Sequence, residues 1–201
     1  MIRSILPSVV LLTGICHAGA AVLFETDFSQ LPQGWVNDDD WVLGSAGASL
    51  CVSVQDSTLL SELSTEGEPP ARYFVPDGAD SVVVEVDHWI FLSAGNVLSR
   101  ASSTGMIQLW TSQTGWGDYI FYHSVSDTLY AQEQISTYRM EDIPPGTELG
   151  FRFRGELVSE NQGNYAEIIW QVAGMTVTAY GDEMGLTTDT WGSIKTLPYL
   201  P

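Results

Sequence analysis

Short runs in which apolar and polar residues alternate dominate the chain after its first twenty residues. Alternation with a period of two is typical of β-strands that bury one face, whereas the 3.6-residue period of an amphipathic helix is nearly absent. Turn signals, such as Pro-Asp-Gly at 76–78 and Pro-Pro-Gly at 144–146, separate the runs. The pattern predicts about ten strands and an all-β sandwich rather than a fold of alternating strands and helices.

The individual strand predictions follow from where each alternating run begins and ends. They cover residues 22–28, 41–44, 49–54, 58–63, 72–75, 81–91, 102–110, 118–124, 134–140, 149–154, 166–172 and 175–180. Ala173-Gly174 is predicted to be a tight connection between the last two strands, residues 31–35 a turn, and residues 115–117 the connection that precedes the strand at 118–124.

The first twenty residues depart from this pattern and resemble a secretory signal peptide. Arg3 precedes an apolar run at 5–15, and small residues follow at 18–20. The run is about half the roughly 20 residues that a membrane-spanning helix needs, which argues against an anchor. We expect cleavage after Ala20 and export to the cell envelope or the medium.

The rest of the chain is predicted to form one β-sandwich domain at 21–181 with a C-terminal tail at 182–201, and no later apolar run is long enough to span a membrane. A net charge of −18 makes nucleic acid and anionic membrane surfaces poor partners, because both would be repelled. Cations or a neutral partner such as a glycan fit this charge better. Surface acids that only keep an exported protein soluble are the alternative.

Cysteine usage gives one further expectation. Without the signal peptide, Cys51 is the only cysteine, so no disulfide can form within the chain. Cys51 sits between Leu50 and Val52 in an apolar alternation, and we expect it to be a buried small hydrophobe.

Short patterns near both ends of the domain resemble a known group of folds. These are Phe-Glu-Thr-Asp-Phe-Ser at 24–29 with Leu-Pro-Gln-Gly-Trp at 31–35, Pro-Gly-Thr at 145–147 with Leu-Gly-Phe-Arg-Phe at 149–153, and Ala-Glu-Ile-Ile-Trp at 166–170. They are similar to the MAM, laminin-G and cleaved-adhesin domains of bacterial secreted and surface proteins. The resemblance implies an antiparallel jelly-roll β-sandwich, concanavalin-A-like, with its first and last strands side by side. It also implies glycan binding, adhesion or a structural role at the cell surface.

The strand at 81–91 supplies the main candidate for a binding site. Glu85, Asp87 and Trp89 share one face, because strand side chains alternate. An indole can stack on the apolar face of a sugar while carboxylates accept its hydroxyl groups. The other predicted ligand-binding residues are Trp110, Arg152 and Arg154. The alternative is a packed aromatic surface in which Glu85 or Asp87 pairs with one of the arginines.

Two neighbouring strands are expected to extend this face. Met106 and Gln108 share a side with Trp110, and Tyr119, Phe121 and His123 are predicted to share one too. His88 falls on the opposite, core-facing side of its strand, where a buried histidine with satisfied hydrogen bonds is the expectation.

The Glu85-Val86-Asp87 sequence also resembles the start of the catalytic motif Glu-x-Asp-x-x-Glu of laminarinase-like jelly-roll glycosidases. A retaining glycosidase needs two carboxyl groups about 5–5.5 Å apart. Ile90 stands where the third acid would be, which removes the acid/base. Glu167 on a neighbouring strand is a candidate to replace it, and the sequence does not decide whether it does.

Acidic residues near the start of the domain are candidate calcium ligands. Calcium takes 6–8 oxygen ligands, and carboxylates in loops supply them. The predicted metal ligands are Glu25, Asp27, Asp38, Asp40 and Asp182. The alternative is a solvated acidic turn.

No nucleophile elbow, zinc-protease motif or phosphate-binding loop occurs in the sequence. The sequence therefore favours a secreted, non-catalytic module that binds a glycan or a cell-surface partner, with calcium as a candidate stabilising ion. A structural component of the cell envelope and a laminarinase-like glycoside hydrolase with an incomplete motif are the alternatives.

Overall fold

The computed structural model describes residues 19–67, 72–95, 101–160 and 162–181. The predicted signal peptide at 1–20 and the predicted C-terminal tail at 182–201 therefore lie almost wholly outside the described residues. Within them the chain forms twelve β-strands. They are β1 (Ala20–Thr26), β2 (Trp35–Asn37), β3 (Trp41–Gly44), β4 (Gly47–Gln55), β5 (Thr58–Thr65), β6 (Tyr73–Phe74), β7 (Ser81–Gly95), β8 (Ala101–Thr111), β9 (Gly115–Val125), β10 (Thr128–Glu141), β11 (Glu148–Ser159) and β12 (Tyr165–Tyr180).

The strands make two antiparallel sheets. Sheet A has the order β10-β7-β12-β4-β3, with β1 also paired to β12, and sheet B has the order β2-β5-β11-β8-β9, with β6 also paired to β11. Their inner faces pack against each other as an antiparallel jelly-roll β-sandwich, which confirms the predicted fold. The first and last strands lie side by side, as the resemblance implied. No helix in the part of the chain described here has the length and apolar content to cross a bilayer.

Alternation along β7 builds the centre of the core as predicted. Val82, Val84, Val86 and Ile90 are fully buried between the sheets together with His88, while Glu85, Asp87 and the other odd-numbered residues between them face outward. Burying such side chains is worth roughly 1.5–3 kcal/mol each. Trp170 of β12 lies against this row and is also fully buried.

Two predicted connections are wrong. Ala173-Gly174 is no turn: β12 runs through it, and the register against β7 shifts between Val172 and Gly174. This is a β-bulge, in which an extra residue breaks the alternation without ending the strand. Residues 115–117 belong to β9 rather than to a connection. The predicted turn at 31–35 is confirmed, because the Trp35 N–H donates to the Pro32 carbonyl at 3.1 Å, but the short strand β2 that begins at Trp35 is absent from the predictions.

Cys51 is exposed, so its predicted burial is wrong. Leu50, its neighbour in β4, is the fully buried residue. Both residues are apolar, so the alternation alone left open which one faces the core.

Candidate functional site

The six predicted ligand-binding residues lie on opposite outer faces of the sandwich. Glu85, Asp87 and Trp89 belong to β7 and face outward from sheet A. Trp110 of β8 and the two arginines of β11 belong to sheet B. The predicted single groove therefore does not form. The alternative pairing is wrong too, because Arg152 and Arg154 pair with Glu62.

The outer face of sheet A carries an acidic depression of about 360 Å³. Its lining includes Glu25, Asp27, Glu85, Asp87 and Ile135. Thr176 pairs with Glu25 on one side and Glu85 on the other, and Gly174 pairs with Asp87, so the acids stand in adjacent rows. No salt bridge among the described residues involves these four carboxylates. The depression is therefore a negatively charged surface, in which Thr26 and Thr176 supply hydroxyl groups.

Of the predicted metal ligands, Glu25 and Asp27 line the acidic depression together, whereas Asp38 and Asp40 lie elsewhere. The Asp27 carboxylate accepts hydrogen bonds from the backbone N–H of Ser29 at 2.9 Å and from its hydroxyl at 2.7 Å, and these bonds lower the pKa of Asp27. The Asp38 carboxylate accepts from the Ser61 hydroxyl at 2.8 Å and from the backbone N–H of Glu62. It thus ties the loop before β3 to β5, which is a structural role.

The two other predicted metal ligands are Asp40 and Asp182. Asp40 is half-buried in the turn before β3, away from the depression lined by Glu25 and Asp27. Asp182 lies outside the described residues. Its neighbour Gly181 donates to the Gly19 carbonyl at the start of β1, whereas Asp27 follows the end of that strand. Within the described residues, no three or more His, Cys, Asp and Glu side chains are grouped to hold a metal ion. Calcium binding stays a prediction.

The glycosidase alternative loses its replacement acid. Ile90 is fully buried in the core. Glu167 pairs with Ser93, eight residues along β7 from Glu85. At about 3.3 Å per residue the two positions are roughly 26 Å apart, far beyond the 5–5.5 Å that retention needs. Glu167 therefore cannot act with Glu85.

The outer face of sheet B is a row-by-row array of aromatic and polar side chains. Arg152 pairs with Gln108, which pairs in turn with Tyr119. In the next row Arg154 pairs with Met106, and Met106 pairs with Tyr122. Each row runs across the strands from β11 to the edge strand β9. Trp110 lies half-buried on the same face, where it pairs with Trp116.

Tyr119 and Tyr122 both face solvent, with exposures of 48% and 56%. Their rings meet edge to face at 5.3 Å. Strict alternation would turn Tyr122 inward, but the register shift in β9 makes Ile120 and Phe121 both face the core. The prediction that Tyr119, Phe121 and His123 share a face is therefore wrong. A β-bulge is the cause, and nothing in the local sequence marks it.

Arg152 is held in place by three partners. Its Nε donates to Gln108 Oε1 at 2.6 Å, and its Nη1 lies 3.7 Å from Glu62 Oε1. Its guanidinium lies over the Trp116 ring at 4.2 Å from the centroid. Desolvation lowers the pKa of Arg152, and Glu62 opposes that shift. Arg154 Nη1 lies 3.5 Å from the same Glu62 oxygen.

An open groove of about 390 Å³ adjoins this network. Val36, Glu62, Ser64, Trp116 and Arg152 are among its lining residues. Its volume falls within the range of small-molecule sites.

His88 has no part in either surface, and its predicted burial is confirmed. Trp170 Nε1 donates to Nδ1 at 3.2 Å, so Nε2 carries the proton and donates to Ser136 Oγ at 2.8 Å. Burial lowers the pKa of His88 to about 4, and the ring is neutral at neutral pH.

Comparisons with known proteins were made by sequence and by structure. No protein-family model matches the chain, and no curated protein matches it. Tailspike protein 4 of bacteriophage CBA120, in its enzymatically active domain, is similar with 13% identity and a TM-score of 0.28, over 73% of this chain and 20% of that one. This chain thus spans about a fifth of that protein.

Two carbohydrate-binding modules are also similar in structure. The CBM22-1 xylan-binding domain of Paenibacillus barcinonensis Xyn10C has 11% identity and a TM-score of 0.31, over 78% of this chain and 96% of that one. The family 11 module of Clostridium thermocellum has 16% identity and a TM-score of 0.27, over 82% and 96%. At TM-scores this low, nothing about function follows from them.

Proposed function

We propose that this chain is an exported, non-catalytic module that binds a glycan on the outer face of sheet B. The observation that carries the proposal is one continuous surface, here called the aromatic–polar strip. It consists of Glu62, Gln108, Trp116, Tyr119, Tyr122, Arg152 and Arg154.

The strip has both kinds of group that a sugar needs. Aromatic rings offer flat apolar surfaces against which the C–H face of a pyranose packs. Arginine donates hydrogen bonds, and glutamate accepts them, so sugar hydroxyl groups find partners of either kind. Because Arg152 is already bound to Gln108 and stacked on Trp116, little side-chain freedom is lost when a ligand binds.

The acidic depression of sheet A is the weaker candidate. Its four carboxylates accept hydrogen bonds but donate none, so the side-chain donors in its lining are the hydroxyl groups of Thr26 and Thr176. A sugar hydroxyl both donates and accepts, and the depression offers fewer side-chain donors than acceptors. Trp89 is half-buried two residues further along β7.

A glycan array probed with the purified chain tests the proposal. Tyr122→Ala and Tyr119→Ala should each weaken glycan binding at least fivefold, because packing of a sugar ring on an aromatic side chain contributes about 1 kcal/mol or more. Tyr165→Ala is the matched control, since that tyrosine is 43% exposed on sheet A. Loss of binding in Trp89→Ala, with the strip variants unaffected, would move the site to sheet A.

Silence across a broad array would favour the alternative, a structural component of the envelope or a module for a cell-surface protein. The specific observation on that side is the edge strand β10, on which Leu129 and Ile135 are 65% and 66% exposed. An edge strand has unpaired backbone groups that can pair with a strand of another protein.

A further inference from the structure

We propose that the ligand of the aromatic–polar strip is an acidic glycan, one that carries the carboxylate of a hexuronic acid, and that Arg152 and Arg154 recognise this group. The inference rests on the proposed function and narrows its ligand class.

Two guanidinium groups in the strip share a single carboxylate oxygen. Nη1 of Arg152 and Nη1 of Arg154 lie 3.7 Å and 3.5 Å from Glu62 Oε1. One negative charge therefore faces two positive charges, and an excess of one positive charge remains. In addition, the buried Nε of Arg154 donates to no acceptor among the described residues. The protein alone does not saturate this pair of cations.

Cations are scarce in this chain, which makes their placement informative. The sequence has seven Lys and Arg against twenty-five Asp and Glu. Two of the seven stand two residues apart on one strand and face the same surface. A site for a neutral sugar needs hydrogen-bond donors, which hydroxyl and amide side chains also supply. Arginine adds the planar fork that matches a carboxylate, with two parallel N–H···O bonds.

The geometry of the strip suits a sugar acid. Tyr119 and Arg152 stand in one row with Gln108 between them. Strands are about 4.8 Å apart, so the aromatic edge and the guanidinium are roughly 10 Å apart across the sheet. A sugar packed on the tyrosines can therefore direct a neighbouring unit's carboxylate toward β11.

The net charge of −18 acts on the strip mainly through its nearest acids. The four acids of the depression lie on the opposite face of the sandwich, beyond the ~8 Å Debye length at physiological salt. Closer to the strip, Glu66 lies 3.7 Å from Arg72, which offsets its charge. Glu156 also faces outward, about 7 Å along β11 from Arg154, and reduces the positive potential at that end of the strip.

The test is an array of glycans in matched pairs, each a neutral hexoside oligomer and the same oligomer with its C6 groups oxidised to carboxylates. Wild-type protein should bind the oxidised member at least tenfold more tightly, and added sodium chloride should weaken only that binding. Arg154→Gln should remove most of the preference. Arg139→Gln is the control, because Arg139 lies on sheet A.

Glu62→Gln should strengthen the preference for the oxidised oligomer, whereas Arg154→Gln should weaken it. The substitution removes the protein's own anion, so the ratio of affinity for the oxidised oligomer to affinity for the neutral one should rise about threefold or more. A merely structural Glu62 would lower both affinities without raising this ratio, and that result would overturn the inference. Equal or tighter binding of neutral oligomers would also overturn it and leave the proposed function standing, whereas silence to every pair would overturn both.

Discussion

At the scale of single residues, His88 shows how a polar ring is kept inside an apolar core. The ring has one donor and one acceptor when neutral, and Ser136 and Trp170 satisfy both. Phe121 packs edge-on against it at 4.8 Å. Protonation would leave Nδ1 with a hydrogen facing the Trp170 N–H, so charge and hydrogen bonding both disfavour it. Burial and geometry therefore agree on a neutral histidine.

This arrangement predicts that the free energy of unfolding decreases as the pH is lowered. The pKa of His88 is about 4 in the folded state, against about 6.5 when unfolded. Protonation thus favours the unfolded chain, and stability should fall as pH drops from about 6.5 toward 4, by roughly 3 kcal/mol in total. Urea titrations should show wild type losing about 2 kcal/mol more than His88→Gln between pH 7 and pH 5. Parallel losses in the two proteins would contradict the assignment.

At the scale of strands, two glycines set how closely the sheets approach. Gly105 of β8 and Gly155 of β11 are directly paired. A Cβ on Gly155 would lie 2.7 Å from Leu50 Cδ2, and one on Gly105 would overlap Ile90 Cδ1. Sheet A side chains therefore occupy the space that these glycines leave in sheet B.

A double-mutant cycle tests this packing. Gly105→Ala should destabilise the fold by about 1–3 kcal/mol through overpacking. Ile90→Val removes the methyl group that clashes and should cost about 1 kcal/mol alone. Because the second change creates the space that the first one needs, the double variant should lose less than the sum of the two losses. Chemical denaturation of the four proteins measures the difference, and simple additivity would show that the two positions are not in contact.

The strands also show what the sequence could predict. Alternation identified β7 and its buried face, because valines there contrast with Glu85 and Asp87. It failed at the bulges in β9 and β12, where an extra residue changes the face of all that follow. Tyr122 was missed for this reason. The stability of a bulge depends on the neighbouring strand, which the local sequence does not contain.

At the scale of the whole molecule, the sequence did not determine which strands share a sheet. Trp89 and Arg152 were expected on one surface, yet the sandwich separates them. Strand order depends on long-range pairing, whereas the pattern of each strand only separates inside from outside. The consequence is two unlike surfaces: sheet A carries the unpaired acids, and sheet B holds Arg152 and Arg154 with a shared counterion.

This asymmetry predicts that two neutralised acids will change stability in opposite directions. Asp87→Asn removes repulsion among the acids of the depression and should raise the free energy of unfolding by about 0.5 kcal/mol at low salt. Glu62→Gln leaves Arg152 and Arg154 to repel each other and should lower it by about 1 kcal/mol. Added salt screens both repulsions, so both differences from wild type should shrink as ionic strength rises. Denaturation at low and high sodium chloride measures them. A loss of stability in Asp87→Asn would mean that its carboxylate has a stabilising partner, and the acidic depression would then have to be understood as a paired site.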